Sequence, residues 1–179
     1  SLSSYIGAVD GNVLEPSAEL CKVVKLTSPV LTNGELDILR HLRYKGFDSR
    51  TVEMVYDVGE GAAGIERAVG RMCTEAEQAV DDKCNYLILS DRSVDGGLAP
   101  VPSLLALSAV HNHLIEKQKR AQIALIGETG EAREVMHIAL LSGYGASAVN
   151  PYLAFAVLQR GVEERELQLD YDTAEKHYV

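Results

Sequence analysis

The stretch Tyr86-Leu87-Ile88-Leu89 decides the fold class of this sequence, because four consecutive apolar residues are typical of a strand buried on both faces. Two more short apolar runs follow at residues 123–126 and 146–149. Apolar patterns with helical spacing separate these runs, at residues 102–117 and 131–141. Strands that alternate with helices over short loops predict a parallel sheet covered by helices, which is an α/β fold.

The alternation also extends towards both ends of the chain. The further predicted strands are residues 21–26 and 51–56, and the further predicted helices are residues 34–43 and 62–80. Asn33 is the predicted N-cap of the helix that follows it, and another helix begins at Tyr152. The periodicity does not decide whether the sheet lies open or curls into part of a barrel.

Length and composition limit the classes of protein that this chain can be. It has 179 residues, of which 46% are hydrophobic, so one well-cored domain is expected. The net charge of −9 argues against binding to nucleic acid or to an anionic membrane surface. No apolar run reaches the roughly 18 residues that span a bilayer, and the first residues lack a signal core. Three cysteines without a Cys-x-x-Cys pair predict a reduced, cytoplasmic protein without disulfides.

Residues 59–64 read Gly-Glu-Gly-Ala-Ala-Gly, between a predicted strand and a predicted helix. This spacing is found in dinucleotide sites, where the glycines allow the backbone to approach a pyrophosphate. Glu60 would place a carboxylate inside such a cradle, and Asp57 precedes it closely. A loop that begins a helix is therefore the favoured interpretation, and a nucleotide or flavin site is the alternative.

Metal-binding and covalent catalytic patterns are incomplete. Glu134-Val135-Met136-His137 is a single Glu-x-x-His motif, whereas a di-iron site needs two. His111 and His113 are two residues apart and would point in different directions from a helix. No Gly-x-Ser-x-Gly or Cys–His signature is present. We therefore predict no catalytic, cofactor-binding or metal-binding residue.

Polar residues follow three of the predicted buried strands. Asp91, Glu128 and Asn150 each stand at the point where a strand ends. Ligand sites of parallel α/β proteins are built at the carboxyl ends of the strands, so these residues are candidates for a site. In the alternative interpretation they cap the next helices and pair with Arg92 or Arg133.

Several stretches, taken in chain order, resemble the central domain of the large subunit of glutamate synthase. They include Ser28-Pro29-Val30-Leu31-Thr32, Ile88-Leu89-Ser90-Asp91-Arg92 and Ala99-Pro100-Val101-Pro102-Ser103. The most specific are Glu128-Thr129-Gly130-Glu131-Ala132-Arg133 and Ala148-Val149-Asn150-Pro151-Tyr152-Leu153-Ala154. The resemblance covers almost the whole chain.

The resemblance implies a part of a larger enzyme. Glutamate synthase makes two glutamates from glutamine and 2-oxoglutarate, with an N-terminal amidotransferase domain and a C-terminal barrel domain that carries FMN and an iron–sulfur cluster. Its central domain joins the two, helps to wall the ammonia route and is similar to a reduced FMN barrel without a cofactor. By this resemblance, residues 1–20 are an arm, residues 21–162 the α/β domain and residues 163–179 a charged tail that leads towards the FMN domain.

Seven residues are the candidates for a structural or ammonia-route role. They are Asp91, Arg92, Glu128, Thr129, Glu131, Arg133 and Asn150. Arg133 is expected to pair with a carboxylate and to fix the loop–helix junction. The segment alone is expected to be inactive, and the electron donor of the whole enzyme stays open between an NADPH- or NADH-oxidising subunit and ferredoxin. A stand-alone module that docks onto synthase partners is a further alternative.

Overall fold

The computed structural model describes residues 3–9, 14–15, 17–42, 44 and 46–179. Residues 10–13 and 16 of the predicted arm, and the predicted helix end at Arg43, lie outside the described residues. The strands are β1 (Ser4–Gly7), β2 (Val23–Leu26), β3 (Ser49–Glu53), β4 (Val55–Asp57), β5 (Tyr86–Ser90), β6 (Leu98–Pro100), β7 (Ala124–Glu128) and β8 (Ala148–Asn150). The helices are α1 (Asn33–Arg40), α2 (Gly61–Asp81), α3 (Ser103–Glu116), α4 (Val135–Gly143), α5 (Tyr152–Glu163) and α6 (Tyr171–Tyr178), with short 3-10 turns at Ala18–Cys21, Val58–Glu60 and Arg120–Gln122.

The centre of the fold is a four-stranded parallel sheet in the order β3-β5-β7-β8. The predicted α/β class with a helix-covered parallel sheet is thus confirmed. All five residues of β5 and of β7 are buried, as the continuous apolar runs predict. Val30 extends the sheet at β8 through a parallel bridge to Val149, where the Leu31 N–H donates to the Val149 carbonyl over 2.8 Å. The described strands form no closed barrel, which agrees with a partial barrel.

The two faces of the sheet pack against different layers. Leu87, Leu89 and Leu125 belong to a core with α2, α3 and α4. Tyr86, Ile88 and Ile126 belong to a second core on the opposite face, because side chains alternate along a strand. This second core also contains apolar residues of α1 and of the antiparallel pair β1–β2, namely Ile6, Leu26, Leu36 and Leu39. The helices and the small hairpin therefore cover both faces.

Two predicted strands differ from the observed ones because of tertiary pairing. The predicted strand at residues 21–26 is β2, which pairs with β1 and lies outside the parallel sheet. The predicted strand at residues 51–56 divides at Met54 into β3 and β4. The Met54 N–H donates to the Ser90 carbonyl and its own carbonyl accepts from the Val101 N–H, so the chain leaves the sheet here to pair with β6.

The starts of two helices also differ from the prediction. Thr32 rather than Asn33 caps α1, because its hydroxyl accepts from the Glu35 N–H and the Glu35 carboxylate accepts from the Thr32 N–H. The helix predicted from residue 131 begins at Val135. The Glu131 N–H donates to the Thr129 hydroxyl over 3.1 Å, which holds the preceding loop in a non-helical conformation.

Candidate functional site

The carboxyl ends of the four parallel strands form one row of polar residues. In the register of the sheet, Glu53 of β3 stands beside Ser90 of β5. Ser90 stands beside Glu128 of β7, and Glu128 beside Asn150 of β8. This row, together with the residues that touch it, is called the carboxyl edge below. It is the candidate site because the polar side chains that end all four strands meet there.

Glu128 is the central charge of the carboxyl edge and its side chain is only 2% exposed. Its Oε2 accepts from Nη2 of Arg40 over 2.7 Å, and its Oε1 accepts from Nε of Arg92. Burial alone would raise the pKa of Glu128, but hydrogen bonds from Ser90, Arg40 and Arg92 and the charge of Arg40 outweigh it and lower the pKa. Glu128 is therefore an ionised, doubly paired carboxylate.

Asp91 is a second buried carboxylate, and the loop that follows β7 binds it. Its Oδ2 accepts from the Thr129 hydroxyl over 2.7 Å, and the Gly130 N–H donates to both carboxylate oxygens at 3.0 and 3.1 Å. Burial, followed by a hydrogen bond to Asp91 and the charge of Asp91, raises the pKa of Tyr152. The ring of Tyr152 in turn packs 4.2 Å below the guanidinium of Arg92, a cation–π contact.

Asn150 connects the end of β8 to the start of α1. It is fully buried, and its Nδ2 donates to the Leu31 carbonyl over 2.9 Å and to Oδ1 of Asn33 over 3.1 Å. Asn33 Oδ1 also accepts from Nη2 of Arg92 at 3.4 Å. In the described part of the chain, Asn150 Oδ1 has no hydrogen-bond partner. Asn33 and Arg40, at the two ends of α1, thus both bind the carboxyl edge.

A cavity of about 600 Å³ opens beside this cluster. Its lining residues are Asn33, Leu36, Asp37, Arg40, Thr51, Glu53, Ser90, Arg92, Ser93 and Glu128. Hydroxyl and carboxylate oxygens face it, and Ser93 donates to Glu53 over 2.6 Å. None of the lining residues is a cysteine or a histidine, the side chains from which a nucleophile–base pair is commonly built.

The structure brings five of the seven predicted residues together. Asp91, Arg92, Glu128, Thr129 and Asn150 share the carboxyl edge. Of the alternative interpretation, the pairing of Glu128 with Arg92 is observed. The predicted capping is not, because the N-caps of α3, α4 and α5 are Pro102, Glu134 and Pro151.

The other two predicted residues lie elsewhere. The carboxylate of Glu131 accepts from the N–H and the hydroxyl of Ser103, at 2.7 and 2.6 Å, and so caps α3. Arg133 is exposed and forms no ion pair among the described residues. The prediction that Arg133 pairs with a carboxylate is wrong, because the loop directs its side chain to the surface.

Several members of the carboxyl edge were not predicted from the sequence, among them Asn33, Arg40 and Tyr152. Arg40 lies 88 residues from Glu128, and Asn33 lies 117 residues from Asn150. No local pattern connects such distant positions. Tyr152 does belong to the Asn150-Pro151-Tyr152 stretch that the resemblance singled out, but nothing in the sequence predicted its packing on Arg92.

Carboxylates in and next to the glycine-rich loop at residues 59–64 already form its polar contacts. Asp57 Oδ1 accepts from the Gly59 N–H over 2.8 Å, the type of donor that a phosphate would require. Glu60 pairs with Arg67 over 2.7 Å. An added Cβ at Gly64 would lie 3.0 Å from the Asp57 carbonyl, so Gly64 allows α2 to pack closely on the preceding segment. The loop therefore does not fit the phosphate of FMN or of a dinucleotide.

The histidines and cysteines do not form a metal or cluster site in the described part of the chain. His113 Nε2 lies 3.1 Å from Glu77, and His111 Nδ1 accepts from Arg120 Nε over 2.9 Å. Burial and the charge of Arg120 lower the pKa of His111, which favours the neutral ring. Cys21 is exposed and Cys84 is buried. These residues do not fit an iron–sulfur cluster.

Comparison with known proteins connects this geometry to a family. The family model described as "Glutamate synthase central domain" matches residues 1–179, the whole chain. The chain belongs to the glutamate synthase central domain family. It is 38% identical to the glutamate synthase [NADPH] large chain of Bacillus subtilis over 99% of its length. It is 36% identical over 99% of its length to the glutamate synthase [NADH] of Schizosaccharomyces pombe.

The glutamate synthase relatives are much longer than this chain. It spans 11% of the Bacillus protein and 9% of the Schizosaccharomyces protein, about a tenth of each. The ferredoxin-dependent glutamate synthase of Spinacia oleracea is 38% identical over 80% of this chain. The family thus includes NADPH, NADH and ferredoxin-dependent forms. Within the described residues, no helix is long and apolar enough to cross a membrane.

Proposed function

We propose that this chain is a cofactor-free central domain of a glutamate synthase large chain. In this role it joins a glutamine amidotransferase domain to an FMN-binding synthase domain of the same polypeptide. The pairing of both buried carboxylates of the carboxyl edge is the observation that carries the proposal. The ionised Glu128 is paired with Arg40 and Arg92, and Asp91 accepts hydrogen bonds from Thr129 and Gly130. An edge whose buried charges are paired within the chain favours a structural role over ligand chemistry.

The proposal includes a wall of the ammonia route. Ammonia donates and accepts hydrogen bonds, and the oxygens of Glu53, Ser90 and Ser93 line the cavity beside the carboxyl edge. A neighbouring domain over the open side of this cavity would convert it into an enclosed polar passage. Electron transfer, FMN and the iron–sulfur cluster belong to the other parts of the enzyme, together with its electron-donating subunit or ferredoxin.

The test of the ammonia route is made in the full-length enzyme with its electron donor. Ser93→Trp places a large side chain in the cavity without removing a member of the buried cluster around Glu128. We measure the glutamine hydrolysed for each 2-oxoglutarate consumed, which is one to one when all the ammonia is transferred. The expected ratio rises above one, because glutamine hydrolysis continues while its ammonia escapes.

Thr74→Trp is the matched control, since Thr74 is an exposed hydroxyl residue on α2 that does not line the cavity. Its ratio is expected to stay at one. A ratio of one in the Ser93 variant, with both rates reduced equally, would contradict the proposed ammonia route and support the linking role alone.

The same proposal has consequences for the 179-residue chain alone. It is expected to bind no flavin, nucleotide or metal, and to have neither glutaminase nor synthase activity. Stoichiometric FMN or zinc in the purified chain would contradict the proposal and favour an independent nucleotide- or flavin-binding protein. The cytoplasmic location stays a prediction.

A further inference from the structure

An apolar groove of about 710 Å³ lies between α4, α6 and residues 28–30. One wall is Pro29 and Val30, next to the edge strand β8, and the opposite wall is Val135 and Ile138 of α4. Tyr178 and Val179 close one side. This region is called the terminal groove below.

The α4 wall is more apolar than its packing within the chain requires. Only Ile138 and Leu141 of this helix are buried. Val135 is 87% exposed and the adjacent Met136 is 68% exposed. Adjoining exposed apolar side chains mark surfaces that another polypeptide covers.

The last residue of the chain is fixed at the terminal groove. The Ser28 hydroxyl donates to the Val179 carbonyl at 3.2 Å. The Tyr178 hydroxyl donates to the Arg133 carbonyl at 3.1 Å, and the Tyr178 ring packs edge-on against Phe155 with 5.4 Å between centroids. Because Val179 itself lines the groove, any residue that follows it starts beside these apolar walls.

The linking role proposed above places further residues after position 179, and the relatives are long enough to contain them. This chain spans about a tenth of the glutamate synthases from Bacillus subtilis and Schizosaccharomyces pombe, at 11% and 9% of their lengths. An extended chain advances about 3.3 Å per residue, so the first few residues after position 179 are long enough to lie along the groove walls.

The groove does not offer a free strand edge. The Val30 N–H is occupied by the Ser28 hydroxyl over 3.1 Å, and Pro29 has no N–H. The Leu31 N–H and the Pro29 carbonyl are bonded to Val149 of β8. An occupant is therefore recognised through its apolar side chains and not through strand addition.

We propose that the segment directly after residue 179 of the full-length polypeptide folds back into the terminal groove and packs apolar side chains against Val135 and Ile138. The inference rests on the proposed linking role and gives it a physical contact. The start of the downstream connection is thereby held against α4 and the edge of the sheet.

Photo-crosslinking in the full-length enzyme tests the occupant. A benzophenone amino acid replaces Val135, and mass spectrometry identifies the peptide captured on irradiation. We expect a peptide from the first ten or so residues after position 179. Ile38 is the control site, since it is 66% exposed and lies on α1, which packs on the opposite face of the sheet. No adduct at Val135, or an adduct with a second copy or another subunit, would overturn the proposal.

Limited proteolysis of the full-length enzyme gives a second readout. Val135→Asp places a charge in the covered groove and should release the downstream segment, so that cleavage just after residue 179 becomes about tenfold faster, or about 1.4 kcal/mol. Ile38→Asp should leave that rate unchanged. Equal rates in the two variants would contradict the docking. The Ser93→Trp measurement is independent of this contact, so the docking and the ammonia route can fail separately.

Discussion

The carboxyl edge and the terminal groove differ in how much of their bonding and packing the chain itself supplies. At the carboxyl edge, the buried charges of Glu128 and Asp91 are satisfied by residues of this chain. In the terminal groove, Val135 is left almost fully exposed. A buried charge without a partner costs several kcal/mol, whereas leaving one valine side chain exposed forgoes about 1.5–3 kcal/mol of burial. The chain must therefore complete the first region during folding, while the second can wait for a neighbour.

We therefore expect the carboxyl edge to contribute to the stability of the chain, and the terminal groove to contribute to its contact with other parts of the polypeptide. Substitutions of the buried carboxylates at the carboxyl edge should lower the free energy of unfolding of the 179-residue chain, because their partners all lie within it. Substitutions of exposed groove residues such as Val135 should have little effect until the downstream polypeptide is present. Chemical denaturation of the 179-residue chain measures both, and a cooperative transition is itself expected because two buried cores hold the sheet.

Glu128→Ala is expected to have the largest effect. It leaves the Arg40 and Arg92 guanidiniums without their carboxylate, although exposures of 26% and 47% let water replace part of the contact. The expected loss is about 2–4 kcal/mol of unfolding free energy. Glu53→Ala is the control, since Glu53 is exposed in the same row and should cost under about 1 kcal/mol. Equal losses of unfolding free energy in the two variants would mean that the ion pairs of Glu128 contribute no more than an exposed carboxylate.

The dependence of stability on acid pH tests whether Glu128 is ionised and paired in the folded chain. The folded-state pKa of Glu128 is lower than its ordinary value of 4.5, so its contribution is present above that value and is lost as the pH falls through the lowered pKa. Denaturation curves of wild type and Glu128→Gln at descending pH isolate this contribution. The difference between the two should be constant at neutral pH and should shrink below about pH 4.5. A difference that grows on acidification would contradict the ionised, paired carboxylate.

Glu131→Ala should have an intermediate effect. It removes the carboxylate that accepts from the Ser103 N–H and hydroxyl at the start of α3. Loss of a helix cap costs about 1 kcal/mol, and Glu131→Gln, which keeps an acceptor oxygen, should cost less. If both variants match wild type in the denaturation midpoint, water replaces this cap.

Arg133→Ala should have the smallest effect. Arg133 lines the terminal groove and is exposed, so the expected change in unfolding free energy is within about 0.5 kcal/mol. Lys in its place serves as the control for charge alone. A loss above 1 kcal/mol in the 179-residue chain would mean that Arg133 has a pairing that the structure does not place there.

The sequence predicted the elements of the sheet closely. The apolar run at residues 86–89 is β5 with one residue added, and the run at residues 123–126 is β7 shifted towards Glu128. Continuous apolar runs are reliable here because both faces of these strands are buried. The prediction was less accurate at Met54 and at residues 131–134, where contacts with Ser90, Val101 and Thr129 decide the backbone path. Those contacts are absent from the local pattern.

Some residues of the candidate site were also predicted from the sequence, and others were not. The end of a buried parallel strand is polar by sequence alone, so Asp91, Glu128 and Asn150 could be named without coordinates. In the structure Glu128 stands beside Asn150 in one row, and Asp91 directly follows Ser90 of the same row. Arg133 and Glu131 share the same stretch of sequence, yet their side chains point to the surface and to α3.

The sequence by itself determined the α/β class, the buried strands and the family of this chain, because periodicity and motif order are properties of consecutive residues. Only the tertiary structure decided that Arg40 reaches Glu128 across 88 positions. It alone placed Val179 beside Pro29 and Val135 in the terminal groove. Ion pairs and grooves join residues that are distant in the chain, and side-chain charge or hydropathy read along the sequence carries no information about which distant residue lies opposite.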